Sequence, residues 1–354
     1  MRGFFVILSG AAVILAAMLA GGCVTPVEGA GDPGPGQSGD PIGEQPGDSD
    51  LKTILFVLGP NTGFVGFDNA QSLSGANLPA STELMSSNNT VIQPRDAALD
   101  SRGALYLISG AKGGSIAIYD NPLTATGNRA PDRVVSGDAT LIANNPSGIA
   151  IDRDNELLYL SNPVGDLLVF NIATPQLFNG DIAPVRTFRV NQPLFNAEQI
   201  RFANGSLYVV DARGGTSDIL AFDNPSALQG DVTPDRVISN AGFDNTIGID
   251  IDAQDRLWVG VRDLGQVLLF NAAKSLDGAA TPDVALSISD VDVAPKPSFA
   301  TTDSEDRLYI ADSNGNVVFV FDLASQLVSG AHAASRTIDS MELIAPNRLL
   351  VVER

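Results

Sequence analysis

Alternating carboxylates are the first candidates for chemistry in this sequence. Asp152-Arg153-Asp154-Asn155-Glu156 spaces acidic oxygens as a calcium loop does, and Asp250–Asp255 and Asp303–Asp306 look similar. Calcium takes about six oxygen ligands, however, and its loops usually contain a glycine that bends them. The acids also recur at one place in successive segments, as expected for aspartates that accept backbone N–H bonds in tight turns. We therefore predict turn caps and no metal site at Asp100, Asp152, Asp252 and Asp303.

Arginine recurs with the same regularity at the start of the outer strand, two residues after a proline in three of its four copies. A catalytic residue is normally unique in a repeat protein, because a bound substrate breaks the symmetry of the repeat. We predict that these arginines form structural salt bridges or protect the edge of an outer strand. They are Arg133, Arg186, Arg236 and Arg336.

Residues that depart from the repeat are better candidates for a ligand site. At the start of the strand expected to line a central channel, the aligned residues are Asp96, Gly148, Glu198, Gly248, Phe299 and Glu342. Arg201 stands where other repeats have Leu99, Ile151, Ile251 or Thr302. We predict that Asp96, Glu198, Arg201 and Glu342 form a polar mouth that binds a ligand. Simple solvation of the rim is the alternative.

Residues suited to nucleophilic or general-base catalysis are scarce. His332 is the only imidazole, and it lies in an outer loop, Ala331–Ala334, far from the expected channel. We find no glycine-rich phosphate loop and no nucleophile elbow. We therefore predict no catalytic residue, no bound metal and no cofactor.

The elements that position these residues follow from an internal repeat of about fifty residues. A leucine followed by an aromatic residue opens an apolar strand in each unit: Leu105-Tyr106, Leu158-Tyr159, Leu207-Tyr208, Leu257-Trp258 and Leu308-Tyr309. Each unit contains four short strands separated by turn residues, without a helical period, which is typical of an antiparallel blade. A single blade exposes two apolar faces, so the blades must stack around an axis. The predicted fold is an all-β β-propeller.

The spacing, and turns such as Asp303–Asp306 before Leu308–Asp312, resemble the NHL and TolB-like six-bladed propellers of the gluconolactonase-like superfamily. The resemblance covers residues 51–354. It implies that ligands bind where the inner strands begin. In lactonases of this shape, acid and amide side chains hold a metal at the channel mouth.

Six blades fit the 51–354 segment best, and seven blades with incomplete terminal ones are the alternative. We expect Met341–Ala345 and Arg348–Val352 to complete the N-terminal blade. Ile54–Leu58 and Arg348–Val352 both look like the second strand of a blade, however, and one position in the ring cannot take both.

The N-terminal segment predicts export and lipidation. Arg2 precedes an apolar run from Phe4 to Leu19, and Leu19-Ala20-Gly21-Gly22-Cys23 resembles a bacterial lipoprotein lipobox. The resemblance implies a signal peptide over 1–22, a lipid on Cys23 and attachment to the cell envelope, at the outer membrane if the organism has one. An ordinary secretory signal is the alternative. Residues 23–50 are rich in Gly, Pro and acidic residues and predict an extended tether.

Net charge limits the partners. The chain has 21 Lys and Arg against 41 Asp and Glu, a net charge of −20, which repels nucleic acid. The sequence favours a lipid-anchored propeller that binds a protein, glycan or small ligand without catalysis. The alternatives are a metal-dependent lactonase or esterase that uses the mouth acids, and a structural envelope protein.

Overall fold

Short strands with buried residues on both faces account for the regular structure, apart from six short 3₁₀ turns. The computed structural model describes residues 52–59, 63–84, 93–110, 113–124, 127, 129–163, 165–192, 195–213, 215–243 and 246–354. They fall in one compact unit, Asp50–Arg354. The predicted signal peptide, lipidated Cys23 and tether lie outside the described residues. Within the described part of the chain, no helix has the length and hydropathy needed to cross a membrane.

Six sheets form a ring, which confirms the all-β, six-bladed β-propeller. From the channel outward, blade 1 contains Arg348–Glu353, Thr53–Gly59, Gly63–Asp68 and Thr82–Leu84. In the same order, blade 2 contains Pro94–Leu99, Leu105–Ser109, Ser115–Tyr119 and Arg133–Val135. Blade 3 contains Gly148–Asp152, Leu157–Ser161, Asp166–Asn171 and Arg186–Val190, and blade 4 contains Ala197–Ala203, Ser206–Arg213, Thr216–Phe222 and Arg236–Ser239. Blade 5 contains Thr246–Ile251, Leu257–Val261, Gln266–Phe270 and Val284–Ser289, and blade 6 contains Pro297–Thr302, Leu308–Asp312, Val317–Phe321 and Arg336–Asp339.

The 3₁₀ turns lie between strands. They are Pro122–Thr124, Asp138–Thr140, Pro175–Leu177, Pro225–Ala227, Ala273–Ser275 and Ala324–Gln326. All but Asp138–Thr140 follow the third strand of a blade.

Hydrophobic packing between neighbouring blades forms the core. Side chains alternate along a strand, so Leu105 packs toward blade 1 with Phe56, whereas Tyr106 packs toward blade 3 with Leu158. The aromatic residues of the repeat are fully buried: Tyr106, Tyr159, Tyr208, Trp258 and Tyr309. Burying a large side chain of this kind contributes roughly 1.5–3 kcal/mol.

The first and last strands of the propeller segment close the ring within blade 1. Arg348–Glu353 is the innermost strand, and it pairs antiparallel with Thr53–Gly59, which takes the second position. The expectation that both segments compete for the second position was therefore wrong. Met341–Ala345 forms no strand and belongs to the loop that leads to Arg348.

A second set of contacts joins the outer edges of the blades. In every blade, a glycine between the third and fourth strands pairs in parallel with the fourth strand of the preceding blade. These glycines are Gly75, Gly127, Gly180, Gly230, Gly278 and Gly330, and all have positive φ, which glycine adopts without steric cost. The contact covers a strand edge that would otherwise be free to pair with another chain.

Candidate functional site

Strand pairing fixes which residues occupy the same place on the six inner strands. Asp96 lies opposite Ile108, Gln199 lies opposite Val210, and Arg348 lies opposite Leu58. These three partners are equivalent, because each stands two residues after the aromatic residue of its repeat, which is Tyr106, Tyr208 or Phe56. The complete set, one residue from each blade in ring order, is Arg348, Asp96, Gly148, Gln199, Gly248 and Phe299.

The alignment of Glu198 with Asp96 was wrong by one residue. In blade 4 the hairpin turn consists only of Asn204 and Gly205, both with positive φ, as in the tightest hairpin turns. Each inner-strand residue of blade 4 is therefore one position closer in sequence to its partner on the second strand than in blades 2, 5 and 6. Glu198 falls in a β-bulge, where its Oε1 accepts a hydrogen bond from Asn196 Nδ2 at 3.3 Å.

The same shift changes the place of Arg201. It is equivalent to Ala98 of blade 2 and not to Leu99. The residues that share its place on the other inner strands are Leu350, Ala98, Ala150, Asp250 and Thr301.

Glu342 does not take the sixth place, which belongs to Arg348. It lies in the loop between the last strand of blade 6 and Arg348, and its carboxylate accepts a hydrogen bond from the Ser340 hydroxyl. Arg348 was not predicted at this place because the segment Arg348–Val352 resembles the second strand of a blade.

Asp96 is the centre of a buried polar cluster. Its side chain is 1% exposed, and its Oδ2 lies 3.0 Å from Arg201 Nη1. The backbone amides of Ala97 and Ile149 also donate to it, at 3.0 and 3.3 Å. Arg348 Nε lies 3.9 Å from Oδ1. The structure therefore brings Asp96 and Arg201 together, as two members of the predicted mouth.

Arg348 is a buried guanidinium with incomplete compensation. Its side chain is 7% exposed, and its Nε has no hydrogen-bond partner among the described residues. Burial lowers the pKa of Arg348 to about 10, against the attraction of Asp96 and Glu198. Buried cations are stable only beside compensating groups, so Arg348 depends on Asp96.

Arg201 extends from blade 4 into the channel and meets three other blades. Its guanidinium carbon lies 4.9 Å above the centre of the Phe299 ring, a cation–π contact. Its Nε lies 3.7 Å from Asp250 Oδ1, beyond hydrogen-bond distance. The Thr301 hydroxyl donates to Asp250 Oδ2 at 2.6 Å. Burial raises the pKa of Asp250 to about 6, and Arg201 and Thr301 oppose this only in part.

A cavity of about 560 Å³ begins at this cluster. It is lined by the inner strands of all six blades and by the turns that follow them, including Arg153, Asn204, Gln254 and Ser304. Asp250 and Arg201 provide charged groups on its wall, and Ala98, Ala150 and Leu350 provide small or apolar ones. The volume lies within the range of small-molecule sites. The cavity thus lies toward the ends of the inner strands, opposite the end where the mouth was predicted.

The acidic turns are structural, as predicted. In Asp252 one carboxylate oxygen accepts the backbone amides of Gln254 and Arg256, and the other accepts Arg256 Nε and Trp258 Nε1. Asp100 and Asp303 make the same bonds to the arginine and tyrosine of their own blades. These carboxylates are occupied by donors, which leaves little capacity for a cation.

The outer arginines form the predicted salt bridges in three blades. Arg133, Arg236 and Arg336 pair with Asp120, Asp223 and Asp322. Arg236 also donates to the backbone carbonyls of Ala273 and Leu276 in blade 5. Blade 3 differs because Asn171 replaces the aspartate, and Arg186 Nε and Nη2 have no hydrogen-bond partner among the described residues.

His332 lies on the outer edge of the ring, as predicted. It belongs to Gly330–Ala333, the segment that pairs with the fourth strand of blade 5, and its Nε2 lies 2.9 Å from the Val328 carbonyl oxygen. Across the described ranges, no three His, Cys, Asp or Glu side chains are grouped in a way that could hold a metal ion.

Four members of the channel were not predicted from the sequence: Asp250, Thr301, Arg348 and Gln199. Asp250 could have been found, since it lies two residues after Gly248 on an inner strand and is charged where blades 2 and 3 have alanine. Gln199 could be predicted only with knowledge of the short hairpin turn in blade 4. Arg348 could be predicted only with knowledge of how the ring closes.

The fold and the channel define the class of protein: a six-bladed β-propeller with a cavity at one end of its axis. A chain in the crystal structure of a nidogen–laminin complex is 14% identical with a TM-score of 0.56, covering 85% of this chain and 98% of that one. A Lactobacillus plantarum protein is 15% identical with a TM-score of 0.54, covering 82% of each chain. AztD from Citrobacter koseri is 12% identical with a TM-score of 0.50, covering 86% of this chain and 98% of AztD. These similarities agree in the β-propeller fold and extend no further. No protein-family model and no curated protein sequence matches the chain.

Proposed function

We propose that this chain is a lipid-anchored cell-envelope β-propeller that acts as a non-enzymatic binding module. The observation that carries the proposal is the cavity of about 560 Å³, lined by rigid inner strands and by the polar group Arg201, Asp250 and Thr301. A few polar groups fixed on a mostly small or apolar wall are typical of a ligand site. Arg201 and Asp250 are already held by Asp96 and Thr301, which lowers the cost of ordering them when a ligand binds.

The hydrogen-bond partners of Asp96 make a metal-dependent hydrolase the second candidate function. A carboxylate must offer free lone pairs to a cation, but Asp96 already accepts from Arg201 and two backbone amides. The buried Arg348, at 3.9 Å, would also repel a divalent ion from this carboxylate. Glu342 lies in a loop with its own hydroxyl partner. These contacts favour binding over metal-assisted catalysis.

The lipid anchor rests on the lipobox-like segment Leu19–Cys23. Lys52 is the first described residue, and its amide donates to the Arg354 carbonyl oxygen at 2.9 Å. It therefore stands beside Glu353, which lines the cavity. The chain enters the propeller on the cavity side.

Membrane fractionation and mass spectrometry test the anchor. The full chain, expressed in a bacterium, should appear in the membrane fraction with an acylated Cys23 as its first residue. Cys23→Ala should release it into the soluble fraction of the envelope. A soluble wild-type protein with a free thiol would contradict the anchor.

A small-molecule library screened by thermal shift tests the binding role. A ligand that binds the folded state raises the melting temperature, and the shift should disappear in Ala98→Leu, which fills the cavity wall. A matched outer-surface variant, Asp68→Ala, should keep the shift. A library with no cavity-dependent hit would contradict the binding role. Lactone or ester hydrolysis that requires an added divalent metal and is lost in Asp96→Asn would favour the hydrolase instead.

A further inference from the structure

Asp250 is the feature of the cavity that its surroundings leave least satisfied. We propose that the cavity binds a primary alkylammonium group, with the ammonium on Asp250 and its alkyl chain along the small and apolar wall. This inference rests on the proposed binding function and names the chemical class of its ligand.

The geometry of Asp250 leaves hydrogen-bond capacity at Oδ1 for a ligand. The carboxylate accepts the Thr301 hydroxyl at Oδ2, at 2.6 Å, and the Ile251 backbone amide, whereas Oδ1 lies 3.7 Å from Arg201 Nε, too far for a hydrogen bond. The side chain is 22% exposed on the cavity wall. Burial raises its pKa, which means that its charge lacks full compensation. A cationic donor at Oδ1 would supply the missing compensation.

The charges that line the cavity favour a cation. Its carboxylates are Asp154, Asp250, Asp252, Asp303 and Glu353, and its guanidiniums are Arg153 and Arg201. Asp252 and Asp303 are already paired with Arg256 and Arg307, each at 2.6 Å. Arg201 is in turn held by Asp96 at 3.0 Å, a carboxylate that it shares with Arg348, which does not line the cavity.

Three carboxylates therefore remain against a single guanidinium. They are those of Asp154, Asp250 and Glu353, and neither Asp154 nor Glu353 has an ion-pair partner within the described residues. The remaining guanidinium, Arg153, donates through its Nε to the Leu99 carbonyl oxygen. With a chain of net charge −20 around it, this excess attracts cations and repels anionic ligands.

The rest of the wall suits an alkyl chain. Ala98, Ala150 and Leu350 share one level of the channel with Asp250, and Ile151 and Ile251 follow them. A bare inorganic cation would leave this apolar surface exposed to water. A ligand with an ammonium at one end and methylene groups behind it satisfies Asp250 and covers the apolar wall together.

A series of ligands with one alkyl chain and different head groups tests the inference by isothermal titration calorimetry. The probes are hexylammonium, 1-hexanol and hexanoate, with ammonium chloride as the inorganic control at equal ionic strength. Hexylammonium should bind the wild-type propeller, and the alcohol and the carboxylate should bind about tenfold more weakly or not at all. The comparison uses the wild-type protein, so it does not depend on a variant that folds.

Two matched variants identify the carboxylate. Asp250→Asn should weaken hexylammonium binding by about tenfold, whereas Asp154→Asn, at the rim of the same cavity, should change it by less than threefold. Nα-acetyllysine methylamide distinguishes a lysine side chain of a protein from a free amine. Binding of either supports the ammonium site, and the tighter of the two identifies the source.

Three outcomes would overturn the inference. They are equal binding of hexanol or hexanoate, equal competition by ammonium chloride, and unchanged affinity in Asp250→Asn. If hexanol or hexanoate binds and Ala98→Leu abolishes that binding, the cavity still binds ligands and only the ligand class fails. If none of the probes binds and the library gives no cavity-dependent hit, the binding function fails as well.

Discussion

Asp96 links four blades through one carboxylate. It lies on blade 2, accepts from the Arg201 guanidinium of blade 4 and from the Ile149 amide of blade 3, and faces Arg348 on blade 1. With 1% of its side chain exposed, it has almost no access to water. A buried ion pair adds little stability relative to an apolar replacement, but loss of one partner leaves the other charge buried and uncompensated.

Replacement of Asp96 should therefore be costly. Asp96→Asn keeps the shape but leaves Arg201 and Arg348 without their counter-charge, so the free energy of unfolding should fall by about 3–5 kcal/mol. Urea denaturation followed by circular dichroism measures it. Asp154→Asn is the matched control and should stay within about 0.5 kcal/mol of the wild type. A small effect of Asp96→Asn would mean that water compensates the two arginines.

Asp250 should make stability depend on pH in an identifiable way. Its folded-state pKa of about 6 exceeds the unfolded value of 3.8, so the folded state keeps the proton to higher pH. The stability that this group contributes is full below pH 3.8 and is lost as the pH rises to about 6. Asp250→Asn removes this titration.

The stability of Asp250→Asn relative to wild type should consequently increase between about pH 4 and pH 7, by roughly 1–3 kcal/mol. Chemical denaturation of both proteins at several pH values measures the difference, which cancels the titration of all other acids. A constant difference across this range would show that Asp250 has an ordinary pKa.

At the scale of the element, one polar turn recurs with different side chains. The aspartate that closes the first hairpin accepts two backbone amides and then a donor from the buried aromatic residue: Tyr106, Trp258 or Tyr309. Blade 4 has no such aspartate, and its hairpin closes instead with Asn204 and Gly205 in positive φ. The turn thus decides the register of the inner strand and the residue that reaches the channel.

Loss of the turn aspartate should destabilise the blade. Asp252→Ala removes the acceptor of two amides, of Arg256 and of the buried Trp258 Nε1, and leaves these donors unsatisfied. We expect a loss of about 2–4 kcal/mol in the free energy of unfolding. Tryptophan fluorescence reports it directly, because Trp258 is the only tryptophan of the chain. Asp68→Ala, an exposed acid at a strand end, serves as the control, and an equal effect of the two changes would contradict the role of the cap.

At the scale of the whole molecule, the ring closes twice. The first strands of successive blades contact each other around the channel, including Arg348–Glu353 between blades 6 and 2. At the outer edge, Gly75 of blade 1 pairs with Ile338 of blade 6. In every other blade, the equivalent glycine pairs with the fourth strand of the preceding blade. Blade 1 is therefore assembled from both ends of the propeller segment.

Deletion of residues 348–354 should open the ring. It removes the inner strand of blade 1 and exposes the core residues Leu55, Val57 and Phe299, which pack against Leu349. The truncated chain should lose its cooperative thermal transition, as measured by circular dichroism.

A circular permutant provides the contrast. Arg354 would be joined to Lys52 by a short linker, and new ends would open at Asn204-Gly205. Lys52 and Arg354 are hydrogen-bonded at 2.9 Å, so this protein should retain a cooperative transition. An equally stable truncation would show that the closing strand is dispensable.

The sequence by itself determined the repeat and the blade and favoured six blades over seven, because alternating apolar residues and turn residues are local signals that occur in every unit. It also determined that the recurring acids cap turns and that most of the recurring arginines form salt bridges at the outer strands, Arg186 being the exception. Asp96 and Arg201 could be predicted as channel residues because each departs from its repeat.

Only the tertiary structure decided which residues meet. Glu198 and Glu342 were expected beside Asp96 from the repeat, whereas the register of blade 4 and the closure of the ring place Gln199 and Arg348 at those positions. A shift of one residue moves a side chain to the other face of its strand. Ring closure joins residues from the two ends of the propeller segment, and no local pattern records that contact. For this reason the channel, its cavity and the position of Asp250 depend on the folded ring.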